Sequence, residues 1–381
     1  MFNLGRENTG LIAKWWRNVD KQMLFLFIFL FLLGLFFSFS STSSVVAEKM
    51  NKETYFFFTR HLFFVAISLF LLVFISVQNK KNIIKFLLPI FLISFLFLFL
   101  VPLIGVEVKG SKRWLDLMII PKFQPIELVK PLFVLFAAKI IVLDNKIKIY
   151  NRYLYSFLVL GIIVILLINQ PDLGQTLLLI ATWITMIFVS GFNMILLSGL
   201  GLIALFLIGV LIYFLPDKFG YVFVRIKTFL DPQSGDNFQS QKALDAIKQG
   251  GLTGQGMGEG VLKDKVPEAH TDYIIAIISE EFGALFVLAI VILFLFVSYK
   301  VLVKVYYEQN EFLKLSLVGL ISLLIIQTFI HIGVNTRLLP TTGMTLPFLS
   351  YGGSSLVGSS IIAGVILNFT RKDSLRFFEN E

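Results

Sequence analysis

Residues 84–104, IKFLLPIFLISFLFLFLVPLI, carry a single charge, Lys85, at their start. Coiled as a helix at about 1.5 Å per residue, such a run reaches about 30 Å, the thickness of a bilayer's hydrocarbon core. The apolar residues are continuous rather than alternating, which selects a helix over a barrel strand. Runs of the same kind recur near residues 23–40, 61–78, 124–142, 153–169, 173–190, 192–215, 273–299, 313–335 and 345–369. The sequence therefore predicts an all-α polytopic membrane protein of about ten transmembrane helices, with one long loop, 216–272, between the seventh and eighth. Composition agrees: 57% hydrophobic with 42 Phe, 15% charged, and a mean hydropathy of +0.84, far from a soluble domain. The fourth and sixth runs are the weakest, the one carrying Glu127, Lys130 and Lys139, the other bounded by Asp172 and Ser190-Gly191.

Lys and Arg in the short connections set orientation. Arg6, Lys14, Arg17 and Lys21 precede the first run, and Lys80, Lys81 and Lys85, then Lys146, Lys148 and Arg152, then Lys300 and Lys304, and finally Arg371, Lys372 and Arg376 fall on alternate connections. Both termini are expected in the cytoplasm, with residues 1–22 and 370–381 flanking a membrane domain of 23–369. The first run resembles a secretory signal core, but its long basic leader with Trp15-Trp16 and the later spans point to an uncleaved anchor. The net charge of +9 fits anchors facing anionic lipid and calls for no nucleic acid. With no Cys, disulfides and thiol catalysis are excluded. The absence of an internal repeat counts against a transporter built from inverted halves.

Ionisable groups within or at the rim of membrane spans are costly, so they mark candidate sites. Four clusters stand out. Lys112-Arg113-Trp114 lead into Gln124-Pro-Ile-Glu127-Leu-Val-Lys130, where Glu127 and Lys130 share a helix face and Lys130 lies about 9 Å below the helix start; an internal ion pair that lets a marginal helix insert explains them equally. Asn169-Gln-Pro-Asp172-Leu-Gly-Gln175 is a tight turn in which Asp172 reads as an N-cap or as a site wall. The long loop holds an interfacial helix near 223–230 with Arg225, a short helix near 239–248, and Gly254-Gln-Gly-Met-Gly-Glu-Gly260. Without a preceding strand those glycines do not make a nucleotide fingerprint; they read as a close turn or hinge. The loop ends in His270-Thr271-Asp272, at the lip of the eighth span, where Thr271 or Asp272 is also a candidate cap. Glu280 and Glu281 lie on other faces from Asp272, and one of them, Glu281 among the candidates, is expected to pair with a cation from another span such as Lys130. The fourth cluster, Val334-Asn-Thr-Arg-Leu-Leu-Pro-Thr341-Thr-Gly343-Met-Thr-Leu-Pro-Phe-Leu-Ser350-Tyr-Gly-Gly-Ser-Ser355, predicts a broken helix, tolerated where backbone is buried or lines a cavity, or close packing through small residues. Scattered His61, His270 and His331 give no zinc spacing.

These motifs together resemble the SEDS family of cell-wall polymerases over about residues 22–369. Ala269 before His-Thr-Asp and Val334-Asn-Thr before Leu-Pro-Thr-Thr-Gly favour its division branch over its elongation branch. Two positions depart from the family pattern: Arg337 stands where Gly is usual, and Leu252 where an aromatic is common. The resemblance implies ten spans in the bacterial cytoplasmic membrane, at the division septum, and a glycosyltransferase that polymerises lipid II. Its implied partners are a class B penicillin-binding protein and other divisome membrane proteins. It also implies that Asp272 is the essential acid and that Arg113 and Lys130 take part.

The chemistry is coherent with that implication. A sugar hydroxyl attacking an anomeric carbon needs a general base, which Asp272 supplies. The departing diphosphate needs positive charge, for which Lys112, Arg113, Lys130 and Arg225 are candidates, with a divalent cation (Mg or Mn) as an optional aid. One carboxylate with cations suits a single inverting displacement. A lipid II flippase would use a similar inventory, but its essential polar residues should continue to the cytoplasmic side, whereas here they gather near the outer face.

Overall fold

The computed structural model describes residues 10–41, 55–108, 110–118, 121–143, 148–193, 195–199, 201–202, 209, 214, 216–231, 237–262, 265–266 and 268–372. An amphipathic helix α1 (Leu11–Asn18) precedes α2 (Lys21–Ser41), α3 (Phe56–Val77) and α4 (Lys80–Ile104). A small antiparallel hairpin follows, β1 (Val106–Val108) with β2 (Ser111–Trp114), then α5 (Pro125–Ile141), α6 (Ile149–Asn169) and α7 (Leu173–Val189). Beyond them come α8 (Pro216–Leu230), α9 (Phe238–Gly250), α10 (Ile274–Phe282), α11 (Ala284–Tyr307), α12 (Glu311–Asn335) and α13 (Gly353–Phe369). Among the described residues, α2, α3, α4, α6, α11 and α12 are long and apolar enough to cross a bilayer, and α7 and α13 are shorter apolar helices. The expected seventh span, 192–215, lies largely outside the described residues.

The weakest apolar run sits at the centre. In α5 nearly every side chain is buried, Glu127 and Lys130 included, and α12 and α13 pack beside it. Of the α12 span 67% is buried, against 28% of α3, α4 and α11, whose outward faces are crowded with exposed residues such as Phe63, Phe70, Leu92 and Phe99. Large exposed apolar surface of this kind requires lipid. Low hydropathy thus marks a helix shielded from lipid by its neighbours. At one end of the bundle cations close the helix termini: Lys80 donates to the Phe369 carbonyl at 3.1 Å, and Arg371 to the carbonyls of Ser76 and Gln78 at 3.0 Å each.

The sequence predicts one continuous helix over 273–299, and here the structure corrects it. Gly283, at φ +83°, divides the run into α10 and α11. The glycine-rich loop after α9 satisfies both exposed helix ends. Its Gln255 and Gly256 amides donate to the Glu280 and Glu281 carbonyls at 2.9 and 3.0 Å, while the Gly251 and Leu252 carbonyls accept from the Ala284 and Leu285 amides at 2.9 and 3.2 Å. The close turn expected for these glycines is therefore a clasp around a broken helix. A second break, between α12 and α13, matches the sequence reading. Within it Arg337 adopts φ +57°, a left-handed conformation costing about 1–2 kcal/mol for a residue with a Cβ. The β-hairpin in the 105–123 connection was not foreseen.

Gly254 is both left-handed, at φ +79°, and so close to α10 that a Cβ would lie 2.3 Å from the Glu281 carbonyl oxygen. Gly254→Ala should lower stability in detergent by about 2 kcal/mol or more, combining backbone strain with overpacking. Gly161→Ala, with nothing within 4 Å of the added methyl, should leave the thermal midpoint unchanged or raised.

Candidate active site

Asp272 ends the long loop just before α10, and neither it nor Thr271 caps the helix: the N-cap is Tyr273, without a side-chain bond. Thr271 instead bonds the backbone and carboxylate of Glu268. The Asp272 backbone is held from two sides. Asn335, at the end of α12, donates to the Asp272 carbonyl at 3.0 Å and accepts from the Ala276 amide at 3.2 Å. Ser350 donates to the Thr271 carbonyl at 2.7 Å, and the Tyr351 amide to that of His270 at 2.9 Å. The His270 ring turns away, packed 4.5 Å from Phe57 and 5.6 Å from Tyr351. Of the His-Thr-Asp triple, only the acid faces the site.

Opposite Asp272 lies the second broken segment. Gly343 is exposed, and a Cβ placed there would sit 3.5 Å from Asp272 Oδ2 and 3.9 Å from Arg113 Nη1. A carboxylate and a guanidinium therefore border one small opening whose floor is a residue without a side chain. Arg113 reaches it from β2, pinned by the carbonyls of Gln170, at 3.1 Å, and Pro171, and 3.7 Å from Asp172. Asp172 caps α7, accepting from the Gln175 amide at 3.4 Å, and also accepts from Gln124 Nε2 at 3.2 Å. It is thus both a cap and a wall. Burial pushes its carboxyl above the usual range, and Arg113 offsets only part of that. Lys112 is exposed and, by strand alternation, lies on the opposite face of β2 from Arg113; Trp114 is half-buried beside it.

Arg225 comes from α8 and donates to the Thr341 carbonyl at 3.2 Å. Desolvation first, then the charge of Arg113, lowers its pKa. Two guanidiniums near one another, in part dehydrated, favour an anion between or beside them.

Below this rim, Lys130 Nζ lies 2.9 Å from Glu127 Oε2 and 3.2 Å from Gln327 Oε1. Gln175 Nε2 donates to Glu127 at 2.9 Å, and Gln327 Nε2 to the Thr345 carbonyl at 2.9 Å. The internal pair read from the sequence is present, embedded in a network that ties α5, α7 and α12 to the broken segment. The expected pairing of Lys130 with Glu280 or Glu281 does not form. Glu280 accepts from the Leu262 amide at 2.7 Å and Glu281 from Ser40 of α2, because the break at Gly283 places both against the loop clasp and α2. Asn335, Gln170 and Gly343 belong to the site and lie within clusters marked from the sequence without being named as site residues there, while Gln327 falls in none of those clusters. An Asn at the end of an apolar span was the signal available for the first. An apolar groove of about 400 Å³ runs between α3, α4, α5 and α13, from Gln78 and Asn82 to Phe97 and Leu128.

Replacing one partner of the buried pair should expose how much the network matters. Glu127→Leu alone should cost about 3–5 kcal/mol, whereas Glu127→Leu with Lys130→Met should cost less than the sum of the single changes. A double-mutant cycle on thermal or denaturant stability in detergent checks this.

Residues 21–375 match the family described as Cell cycle protein, the group of FtsW, RodA and SpoVE. The chain is 34% identical over 368 residues to a probable peptidoglycan glycosyltransferase FtsW of Caulobacter vibrioides, covering 96% of this chain and 93% of that one. It is 34% identical over 350 residues to the corresponding Haemophilus influenzae protein, covering 88% and 86%. Its fold superposes on a chain of a solved peptidoglycan synthase complex that coordinates polymerization and crosslinking, with a TM-score of 0.73 at 23% identity, covering 94% of this chain and 99% of that one. The Thermus thermophilus rod shape determining protein RodA gives 0.66 at 24% identity, covering 92% and 96%. The chain belongs to the FtsW/RodA/SpoVE family of integral membrane cell cycle proteins.

Proposed function

We propose that this chain is a peptidoglycan glycosyltransferase that polymerises lipid II during septal cell-wall synthesis. The observation that carries the reading is Asp272 Oδ2 and Arg113 Nη1 meeting across the open floor of Gly343. In the reaction, the 4-hydroxyl of the acceptor sugar attacks the donor's anomeric carbon. Asp272 takes the hydroxyl proton as the new C–O bond forms, and the old bond's electron pair leaves with the lipid diphosphate. Arg113, with Arg225 behind it, supplies the positive charge that the departing diphosphate needs. Asn335 and Ser350 are positioning residues, since they hold the backbone on either side of the acid. The apolar groove along α3 and α4 suits a polyprenyl tail, and its upper end reaches Leu128, next to Glu127.

A divalent cation, Mg or Mn, when bound supplies further positive charge to the diphosphate. Among the described residues no three His, Asp or Glu side chains converge, so these side chains do not by themselves fit a resident cation, and no step of the proposed reaction depends on one. Ten spans, cytoplasmic termini, a location in the bacterial cytoplasmic membrane and a class B penicillin-binding protein as partner complete the proposal. The relatives named FtsW support the division role over the elongation role. The flippase alternative is less well supported. Deeper than Lys130, hydroxyls such as Thr182 and Ser322 bond their own helices rather than form a polar path.

The test is polymerisation of labelled lipid II by the purified chain with a class B penicillin-binding protein and Mg or Mn. The expected result is glycan ladders from wild type and at least about a 100-fold loss of rate in Asp272→Asn without loss of fold. Absence of ladders from wild type, or an active Asp272→Asn, would overturn the assignment. A methyl in the opening should act similarly but less severely: Gly343→Ala should lower kcat by about tenfold or more, one tenfold step being about 1.4 kcal/mol on the barrier.

A further inference from the structure

Next to the reacting centre, α8, the start of α9 and the segment after α12 border a half-open cavity of about 180 Å³. Arg225 and Arg337 line it, with Ser240, Thr341, Phe229 and Leu339. Thr341 is two residues from Gly343, so the cavity adjoins the opening between Asp272 and Arg113 and shares Arg225 with it. Pockets for whole small molecules are about 300–1,000 Å³; this one suits a single charged group of a larger substrate.

Both guanidiniums are oriented by neutral oxygens. Arg225 is held by the Thr341 carbonyl at 3.2 Å, and Arg337 by Gln241 Oε1 at 2.6 Å, Gln241 being fixed in turn by Asp245 at 3.0 Å. Among the described residues no carboxylate lies within ion-pair distance of either guanidinium. Arg337 also holds a left-handed backbone that glycine, the residue usual there in the resemblance noted above, would adopt without strain. A strained, half-buried cation at such a position points to use of its side chain. Paired guanidiniums recognise phosphate or carboxylate oxygens through parallel N–H donors.

We propose that the Arg225–Arg337 cavity is a second oxyanion subsite, taking a phosphate or carboxylate group of the lipid-linked substrate while the chemistry proceeds at Asp272. The inference rests on the polymerase reading. Arg337 touches no reacting atom in this scheme and acts on substrate affinity.

The test compares wild type, Arg337→Gly and Arg337→Lys, each as full chain with the class B partner, over a range of lipid II concentrations. Arg337→Gly relieves the backbone and should keep or raise the thermal midpoint, so a folding defect does not obscure the result. It should raise KM about tenfold with kcat within about twofold of wild type, and Arg337→Lys should recover part of the loss. An unchanged KM in Arg337→Gly overturns the subsite, while Asp272→Asn in the same assay still reports on the polymerase itself. Binding of inorganic pyrophosphate and of the free stem pentapeptide identifies the source: pyrophosphate binding lost in Arg337→Gly assigns a phosphate, pentapeptide binding lost assigns a carboxylate. Should wild type make no polymer, the polymerase reading falls, and these two titrations decide the subsite. Binding of neither probe, or equal binding by wild type and Arg337→Gly, then overturns it.

Discussion

A charge or an open backbone group inside a bilayer has no solvent to turn to, so the protein must satisfy it. The Glu127–Lys130 pair is where that constraint organises the bundle. Two ions on one helix face cannot meet lipid, and α5 is therefore enclosed by α4, α6, α12 and α13. Gln175 and Gln327 complete the pair's hydrogen bonds from α7 and α12, and Gln327 carries the connection on to the Thr345 carbonyl. The network sits directly beneath the opening that Asp272 and Arg113 border. A shielded ion pair holds the helices, the helices hold a broken segment, and the broken segment supplies the floor of the site.

The same constraint governs the two helix breaks. Broken helices leave unpaired carbonyls and amides, and in this chain the loop after α9 answers both ends at Gly283. Its place beside α10 depends on glycines that let two backbones touch. At the other break, Ser350 and Tyr351 donate to the backbone just before Asp272, and Asn335 to the Asp272 carbonyl. The acid is consequently fixed by main-chain bonds on each side, with its carboxylate bordering the opening at Gly343. Preorganisation of this sort, with the cation pinned by the α6–α7 turn, is what a displacement at an anomeric carbon requires.

Much of this was legible in the sequence, for reasons that differ between elements. The apolar runs declare the spans because length and hydropathy alone decide insertion. The i, i+3 spacing of Glu127 and Lys130 gives the pair, and Asp172 before an apolar helix gives the cap. Single-chain periodicity could not show the break at Gly283, since an apolar run reads the same through a glycine, and the cause lies some thirty residues upstream in Gly251 to Gly256. It could not pair Glu281 with Ser40 either, because that contact follows from the break. Gly343 lies inside the cluster read as a broken helix, but its role carries no side-chain signal because its contribution is space. Arg337 was visible as a departure from a pattern, and only its backbone conformation gives the departure a physical meaning.

In the proposed reaction one carboxylate, Asp272, serves a single displacement. The most direct measurement is the configuration of the new glycosidic linkage, read by NMR on strands made from lipid II of known anomeric configuration by the purified chain with a class B penicillin-binding protein. A single displacement gives inversion at the donor's anomeric carbon. Retention would require a second carboxylate acting as nucleophile, and would contradict the single-displacement role assigned to Asp272.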